Sequence, residues 1–568
     1  MFGVSSTVET ITDERLTAPM TTQSTDSSAT TDEHRNRNTE RAQLHSTIWR
    51  IANDLRGSVD GWDFKQYVLG MLFYRYLSER LVKHLSDASS GGNYAALPDS
   101  FIDAEGKRDV IKNLGFFLLP SELFSSVHAA AQRDDNLNET LHKVFKSIES
   151  SAEEIYSENN LKGLFDDFVL DSNKLGATAT ARHETLKKLM DAVAEMDLSS
   201  DYSESSNDAF GDAYEFLMGM YAANAGKSGG EYYTPQEVSE LLAEIAMDGR
   251  NPQDISTVYD PACGSGSLLL KFARILRERG DEVEMPLFVG QEINLTTYNL
   301  CRMNMILHGL DLNGFNIAHG DTLINPKHRR NLEARENAGD KAYGLYDAIV
   351  SNPPYSTKWK GDSDPTLIHD ERYAPATVLA PRSKADLAFT MHMLASLEET
   401  GTAAIVEFPG VLYRGNAERK IREYLLKEDR VDAVIQLPPN LFYGTSIATC
   451  ILVLKKSARK DHSVLFVDAS HLFDKGTNQN ILGKAHREKI LEVLASREER
   501  EHFSALVPVE KLLEQEANLA VSSWVEPEDT RERVDIVELN SRIENIVARQ
   551  AQLRVEIDAI VARLEGGE

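Results

Sequence analysis

Apolar positions in this chain follow two rhythms. Leu44, Ile48, Ile51 and Leu55 lie on one helical stripe, and after a break from Gly57 to Gly61 a second begins with Phe64, Tyr67, Val68, Met71, Leu72 and Leu77. Further segments with that spacing predict a helical domain over 41–204, closed by the polar linker "DLSSDYSESSND". From 205 to 470 the rhythm changes to short apolar runs alternating with helical stretches: "STVYD", "LFVGQE", "NIAHGD", "DAIVSNPP", "GTAAIVEFP", "VDAVIQLPP" and "TCILVLKK". Such alternation predicts an α/β domain, a parallel sheet wrapped by helices. In the last region, 471–568, Ile536, Leu539, Ile543, Ile546, Leu553, Ile557, Ile560 and Leu564 step by threes and fours, with Gln550 in the polar place of the series. That seam predicts a coiled-coil helix; single amphipathic helices usually pack on their own domain, but the length and strictness of this repeat favour an intermolecular or antiparallel coiled coil.

Composition narrows the classes. Residues 1–40 are rich in Ser, Thr, Asp and Glu and are expected to be disordered. No apolar run approaches the roughly 20 residues of a membrane span, and "MFGVSSTVET" lacks the basic-then-apolar build of a leader, so a cytoplasmic protein is expected, with no membrane partner. Cys263, Cys301 and Cys450 stand far apart without a CxxC, which argues for buried thiols rather than a disulfide framework or a metal site. The formal charge of −28 opposes nucleic-acid binding unless a local patch or a basic partner supplies the hold. Lys327 to Arg330 ("KHRR") and the neighbourhood of Lys358 and Lys360 are candidate patches, and an acidic enzyme acting on small molecules is the alternative.

Ligands of parallel sheets lie beyond the carboxyl ends of the strands, where Asp260, Glu292, Asp321 and Asn352 close successive runs. In "YDPACGSGSLLLKF" the Gly264-Ser265-Gly266 turn opens a helix, so its glycines permit a tight turn and close backbone approach to a ligand. The third glycine of a dinucleotide fingerprint is replaced by Leu269, and Asp260-Pro261 ahead of the turn instead resembles the first motif of S-adenosylmethionine methyltransferases. Glu292 is placed to accept from ribose hydroxyls and Asp321 from an adenine amino group; taken singly, each acid is more often a solvated strand end. "AGKSGG" is no phosphate loop, because Tyr221 stands where its first glycine is required. In the following "EYYTPQEV", Tyr232 and Tyr233 can wall a pocket or pack in a core, while Thr234 is expected to cap a helix with Pro235 at its first position. The fourth run ends in "NPPY". Two prolines halt strand pairing and leave a rigid lip of one amide (Asn352), carbonyls from Pro353 and Pro354, and one aromatic face (Tyr355), a set suited to a flat amino-bearing ring.

In that order "EYYTP", "DPACGSG" and "NPPY" resemble the gamma class of amino-methyltransferases acting on DNA adenine. The stretches "IWRIANDLRGSVDGWDFKQYVLGMLFYRYLSERL", "SKADLAFTMHMLASL", "VDAVIQLPPNLFYGTSIATCILVLKK" and "NLAVSSWVE" are similar to the modification (M) subunit of type I restriction-modification systems, over about residues 40–568. The resemblance implies a Rossmann-like S-adenosylmethionine-dependent methyltransferase domain, a helical N-terminal domain and a C-terminal coiled-coil helix. It implies methyl transfer to adenine N6 in double-stranded DNA. The catalytic set is then Asn352, Pro353, Pro354 and Tyr355, and S-adenosyl-L-methionine is held by Glu231, Tyr232, Tyr233, Thr234, Pro235, Gln236, Asp260, Gly264, Ser265, Gly266, Glu292 and Asp321. Implied partners are DNA, a specificity subunit that reads the target, a second copy of the M subunit and the restriction (R) subunit; no metal is implied. A separate DNA-reading subunit makes the acidic charge tolerable. Two alternatives stay open: glutamine methylation of release factors, whose enzymes share the lip but are much shorter, and a non-enzymatic scaffold, opposed by the intact motif residues.

Overall fold

The computed structural model describes residues 64–88, 93–151, 153, 160–196, 234–280, 284–328, 345–442, 446–457, 461–477, 479–527 and 536–566. The expectations for residues 1–40, the stripe from Leu44 to Leu55, "AGKSGG", Glu231, Tyr232, Tyr233, Arg329 and Arg330 lie outside the described residues.

The stripe beginning at Phe64 becomes helix α1 (Phe64–Ala88), which buries Tyr67, Val68, Met71, Leu72 and Leu77. It is followed by α2 (Ala104–Leu114), α3 (Phe124–Ala130), α4 (Leu137–Ser150) and α5 (Ala179–Ala194). Local chemistry sets the ends: Asp103 and Thr178 accept backbone N–H groups at the starts of α2 and α5, and Gly115, at φ 83°, ends α2. Buried Arg75 on α1 donates to the carbonyls of Val193 and Met196, satisfying acceptors that the end of α5 leaves open.

Among the described residues nine strands form one sheet in the order β11-β8-β6-β7-β5-β4-β1-β2-β3. They are β1 (Thr257–Asp260), β2 (Leu287–Glu292), β3 (Phe315–His319), β4 (Tyr346–Ser351), β5 (Leu397–Glu407), β6 (Val431–Gln436), β7 (Cys450–Lys455), β8 (Ser463–Asp468) and β11 (Ser504–Pro508); β9 (Asp474–Lys475) and β10 (Asn480–Ile481) form a separate hairpin. All seven apolar runs are strands. The sheet is mixed rather than wholly parallel, since β7 runs against both β5 and β6, and β11 against β8. The chain between β6 and β7 carries no helix among its described residues and returns antiparallel, as strands joined without a crossover helix usually do. With β11 at 504–508, the sheet also extends beyond the expected end at 470.

Helices α6 (Gln236–Ala246), α7 (Ser267–Glu278), α8 (Leu295–Leu307) and α11 (Lys484–Ser496) bury their apolar stripes in one cluster with Val258, Ala348, Val350 and Ala404. On the other face α9 (Asp386–Ser396), α10 (Asn416–Lys427) and α12 (Val509–Glu514) pack with Tyr259, Ile349, Ala403 and Ile405. Covering on both faces explains why the strands read as unbroken apolar runs. The first cluster continues into the N-terminal helices. Across that junction Arg302, 2 % exposed on α8, donates to the carbonyls of Asn160 and Lys162 at 3.0 and 2.9 Å, and the Tyr76 hydroxyl donates to Ile306.

The seam residues lie on one helix, α13 (Ile536–Glu565), and all are exposed; Leu564 is 77 % exposed and Ile546 66 %. The seam is therefore not covered by its own domain. No helix among the described residues is long and apolar enough to cross a membrane.

Arg302→Ala removes the guanidinium that both carbonyls depend on and leaves a cavity, so a stability loss on the order of 3 kcal/mol is expected. Chemical denaturation of the variant, read by circular dichroism, checks this; a change within about 0.5 kcal/mol, the range of neutral surface substitutions, would contradict it.

Candidate active site at the strand ends

Strands β1 and β4 are neighbours, with Val258 opposite Ala348 and Tyr259 opposite Ile349. This register sets the ends of "YDPACGSG" and "IVSNPPY" side by side. The Ser351 hydroxyl donates to Asp260 Oδ1 at 2.7 Å, and the Ala262 N–H donates to the same oxygen at 3.0 Å. Burial, and to a smaller extent the nearby Glu292, pushes the Asp260 carboxyl up to about 7 despite these two donors.

The other strand ends join the same rim. Glu292 Oε2 accepts from the Gly264 N–H at 3.1 Å and its Oε1 from Asn294 at 2.8 Å, while burial pushes its carboxyl up. The Gly320 N–H donates to the Glu292 carbonyl, and the Thr322 hydroxyl donates to the Pro261 carbonyl at 2.6 Å. Asp321 lies between these two ties, its carboxylate accepting from the Leu323 N–H. Asp260, Glu292, Asp321 and Asn352 thus share one hydrogen-bonded edge. Buried Arg372 braces it from outside, donating to the carbonyls of Thr322 and Leu323 at 2.9 and 2.8 Å and to Asp370.

The two turn glycines differ. Both have left-handed φ, 54° at Gly264 and 80° at Gly266. A Cβ on Gly264 meets nothing within 4 Å, whereas one on Gly266 would stand 2.7 Å from Met305 Cε and 2.8 Å from Cys301 Sγ. Close ligand approach fits Gly264; at Gly266 the contact between the start of α7 and α8 also requires the glycine. Ser265 is buried between them, its carbonyl accepting from Asn304. All three cysteines are buried.

At the lip Asn352 is held at both ends of its amide. Its Nδ2 donates to Thr234 Oγ1 at 3.0 Å, and its Oδ1 accepts from the Tyr355 hydroxyl at 2.5 Å. Thr234 is therefore not the expected helix cap. The cap position of α6 is Pro235, with ψ 141° and no side-chain capping bond, and the helix starts one residue later at Gln236. Pro235 and Gln236 line a cavity of about 340 Å³ with Leu441 and residues of the β9–β10 hairpin. Pro353 is buried and Pro354 half-buried. Burial, then the proximity of Glu407, pushes the Tyr355 phenol well up, so it stays a hydrogen-bond donor at neutral pH.

Beneath the lip, the Ser356 N–H donates to Asp386 Oδ1 and the Thr390 hydroxyl to Glu407 Oε1 at 2.7 Å. Burial, then the charge of Asp386, pushes Glu407 up to about 8. Sequence reasoning missed Ser351, Arg372, Asp386 and Glu407. Glu407 carried a usable signal, since it closes "GTAAIVE" as Asp260 closes "STVYD"; Arg372 carried none.

Fold and rim together define a Rossmann-like methyltransferase with an Asn-Pro-Pro-Tyr lip. The N-6 DNA Methylase family model matches residues 205–533, and that of the HsdM N-terminal domain matches 44–193. The Type I restriction enzyme MpnII methylase subunit of Mycoplasma pneumoniae is 45% identical over 535 residues, 92% of this chain and 97% of its own. The MjaVII methylase subunit of Methanocaldococcus jannaschii is 28% identical over 91% of this chain and 82% of its own. The crystal structure of the type I restriction-modification system methyltransferase subunit from Streptococcus thermophilus superposes with a TM-score of 0.73 at 35% identity, covering 86% of this chain and all of that one. The chain belongs to the N-6 DNA methylase family, among the methylase subunits of type I restriction-modification systems.

Two outcomes follow from this geometry. Gly266→Ala places a methyl against Met305 and Cys301 at a left-handed position, so a loss of about 2 kcal/mol or more in a denaturant titration is expected, while Gly264→Ala meets no such contact and costs about 1 kcal/mol from φ alone. For Asp260 the folded chain favours the neutral acid. Its contribution to stability is complete below the unfolded value near 4 and is lost as pH rises toward 7. Melting temperatures measured from pH 4 to 8 are expected to fall less steeply in Asp260→Asn than in the wild type; equal slopes would remove Asp260 as a source.

Proposed function

We propose that the rim binds S-adenosyl-L-methionine and that the lip presents the N6 amine of a DNA adenine to its methyl group. The carrying observation is the Asn352 amide, fixed at both ends by Thr234 and Tyr355 on the edge that also bears Asp260. The site suits the cofactor: buried Asp260 and half-buried Glu292 beside a turn whose Gly264 faces open space match a ligand with a cationic amino acid head and a ribose diol. Asp260 and Glu292 would hold those parts, Asp321 the adenine amino group, with Glu231, Tyr232, Tyr233 and Gln236 as further proposed contacts. When bound, S-adenosylmethionine supplies an electrophilic methyl.

The remaining chemistry belongs to the chain. An exocyclic adenine amine is a poor nucleophile because its lone pair is delocalised into the ring. Asn352 Oδ1 and the Pro353 carbonyl accept its two hydrogens and turn the lone pair out of the ring plane. As the N–C bond forms, the methyl's bond to sulfur would break with its electron pair left on sulfur, and one N–H proton would pass to solvent water. Positioning supplies the rate, without a covalent protein intermediate. Tyr355 fixes Asn352 through its hydroxyl and offers its ring face to the base, which has to leave the duplex to reach the lip.

The proposed partners are DNA, a specificity subunit that selects the target, a second copy of this chain and a restriction subunit. The exposed Ile and Leu seam of α13 is the proposed dock for helices of the specificity subunit. A cytoplasmic setting goes with this reading.

In the assembled complex Asn352→Ala is expected to lower methyl transfer about a hundredfold or more, with cofactor affinity by calorimetry near that of the wild type. Near-normal formation of N6-methyladenine by the variant, read by mass spectrometry of digested DNA, would sink the assignment. Removing residues after about 530 should spare cofactor binding and abolish co-purification with the specificity subunit. Continued assembly would move the dock elsewhere.

A further inference from the structure

We infer that the clasp following the lip, Ser356–Lys360 set against Pro381–Ala385, grips the DNA backbone through Lys358, Lys360, Arg382 and Lys384. The inference rests on the adenine-methylation reading and adds to it the surface by which so acidic a chain holds a polyanion.

The clasp is built and fixed. The Ala385 N–H donates to the Thr357 carbonyl at 2.9 Å and the Trp359 N–H to the Arg382 carbonyl at 3.0 Å, tying the two segments together. The Trp359 indole N–H donates to the Pro381 carbonyl at 3.1 Å, and its ring lies 5.4 Å from that of Tyr373. Ser356, bonded to Asp386, joins the clasp directly to Tyr355 of the lip. Trp359 turns inward while Lys358 and Lys360 on either side are exposed, so the anchor itself aims two cations outward. Arg382 is exposed and Lys384 half-buried on the opposite segment. The left-handed Gly361, at φ 50°, lets the Arg382 stem pass, since a Cβ there would stand 2.9 Å from Arg382 Cγ.

These cations are largely uncommitted. Of the four, only Arg382 makes an ion pair among the described residues, with Asp362 at 3.7 Å, and both partners are exposed enough for water and salt to screen it. Asp362 and Asp364 bound the patch at its outer end. Four cations spread over two paired segments match charges strung along a strand better than one small anion. A base that enters the lip brings its own phosphates near the rim, and the clasp follows Tyr355 directly in the chain. On a chain of formal charge −28 these local charges offset a repulsive background.

The test uses the full chain and a short fluorescent duplex, with binding followed by anisotropy over a salt series. Each phosphate contact contributes about 0.9 to the slope of log K against log salt. Lys358→Gln with Lys360→Gln, and separately Arg382→Gln with Lys384→Gln, are each expected to lower that slope by about 2. The weakening should be equal on duplexes with and without a target site, and S-adenosylmethionine affinity should stay at the wild-type value. An unchanged slope overturns the inference, as does failure of the wild-type chain to bind duplex at low salt. Loss of cofactor affinity in the doubles would show that the clasp is structural, and an unchanged slope with loss of subunit co-purification would assign it to an acidic protein surface; either result overturns the grip. The adenine-methylation reading fails separately, if the wild-type assembly leaves adenine N6 unmethylated.

Discussion

The 2.7 Å hydrogen bond from Ser351 to Asp260 is the joint on which the rest of the site depends. It crosses between neighbouring strands, one leading into the glycine turn and the other into the lip, and it lies out of reach of water, where a lost partner leaves an unsatisfied group. The register of β1 against β4 brings these residues level. A one-residue slip would turn Ser351 to the other face of the sheet and separate the two motifs. From Asp260 the ties run on through Pro261 to Thr322 and through Gly264 to Glu292, so the proposed cofactor rim and the proposed base lip form one rigid edge. Rigidity is what a reaction driven by positioning requires.

Much of this was legible because strand ends have a strong signature. Apolar runs buried on both faces stop abruptly at a polar residue, and Asp260, Glu292, Asp321 and Asn352 marked the edge in chain order. Strand direction was less legible: composition does not distinguish β7, which reverses, from its parallel neighbours. "SVLFVD", the strand β8, lay inside the expected domain but outside its seven named runs, and "SALVP", the strand β11, lay beyond the expected end at 470. Side-chain partners at long sequence separation were not legible at all. Nothing local in "DERYAP" announces that Arg372 reaches back to the carbonyls of Thr322 and Leu323, and the sequence of "EYYTP" suggests a cap at Thr234, whose hydroxyl the fold gives to Asn352.

Charge and exposure complete the division of labour. Among the described residues Lys358, Lys360 and Arg382 are exposed on the clasp that follows the lip, and a long apolar stripe is exposed on α13. On the proposed reading, the clasp is a local hold on the DNA backbone and α13 a separate helix for assembly. Both features fit a methylase subunit of a type I restriction-modification system, the family to which the chain belongs.

The claim that rim and lip act as one unit is tested most directly by a double-mutant cycle on single-turnover methyl transfer, comparing Asp260→Ala, Ser351→Ala and the pair in the assembled complex. Residues sharing a buried hydrogen bond couple by about 0.5–3 kcal/mol, so the account predicts that the pair loses little more than the worse single variant. Losses that add to within about 0.3 kcal/mol, the behaviour of independent sites, would contradict it.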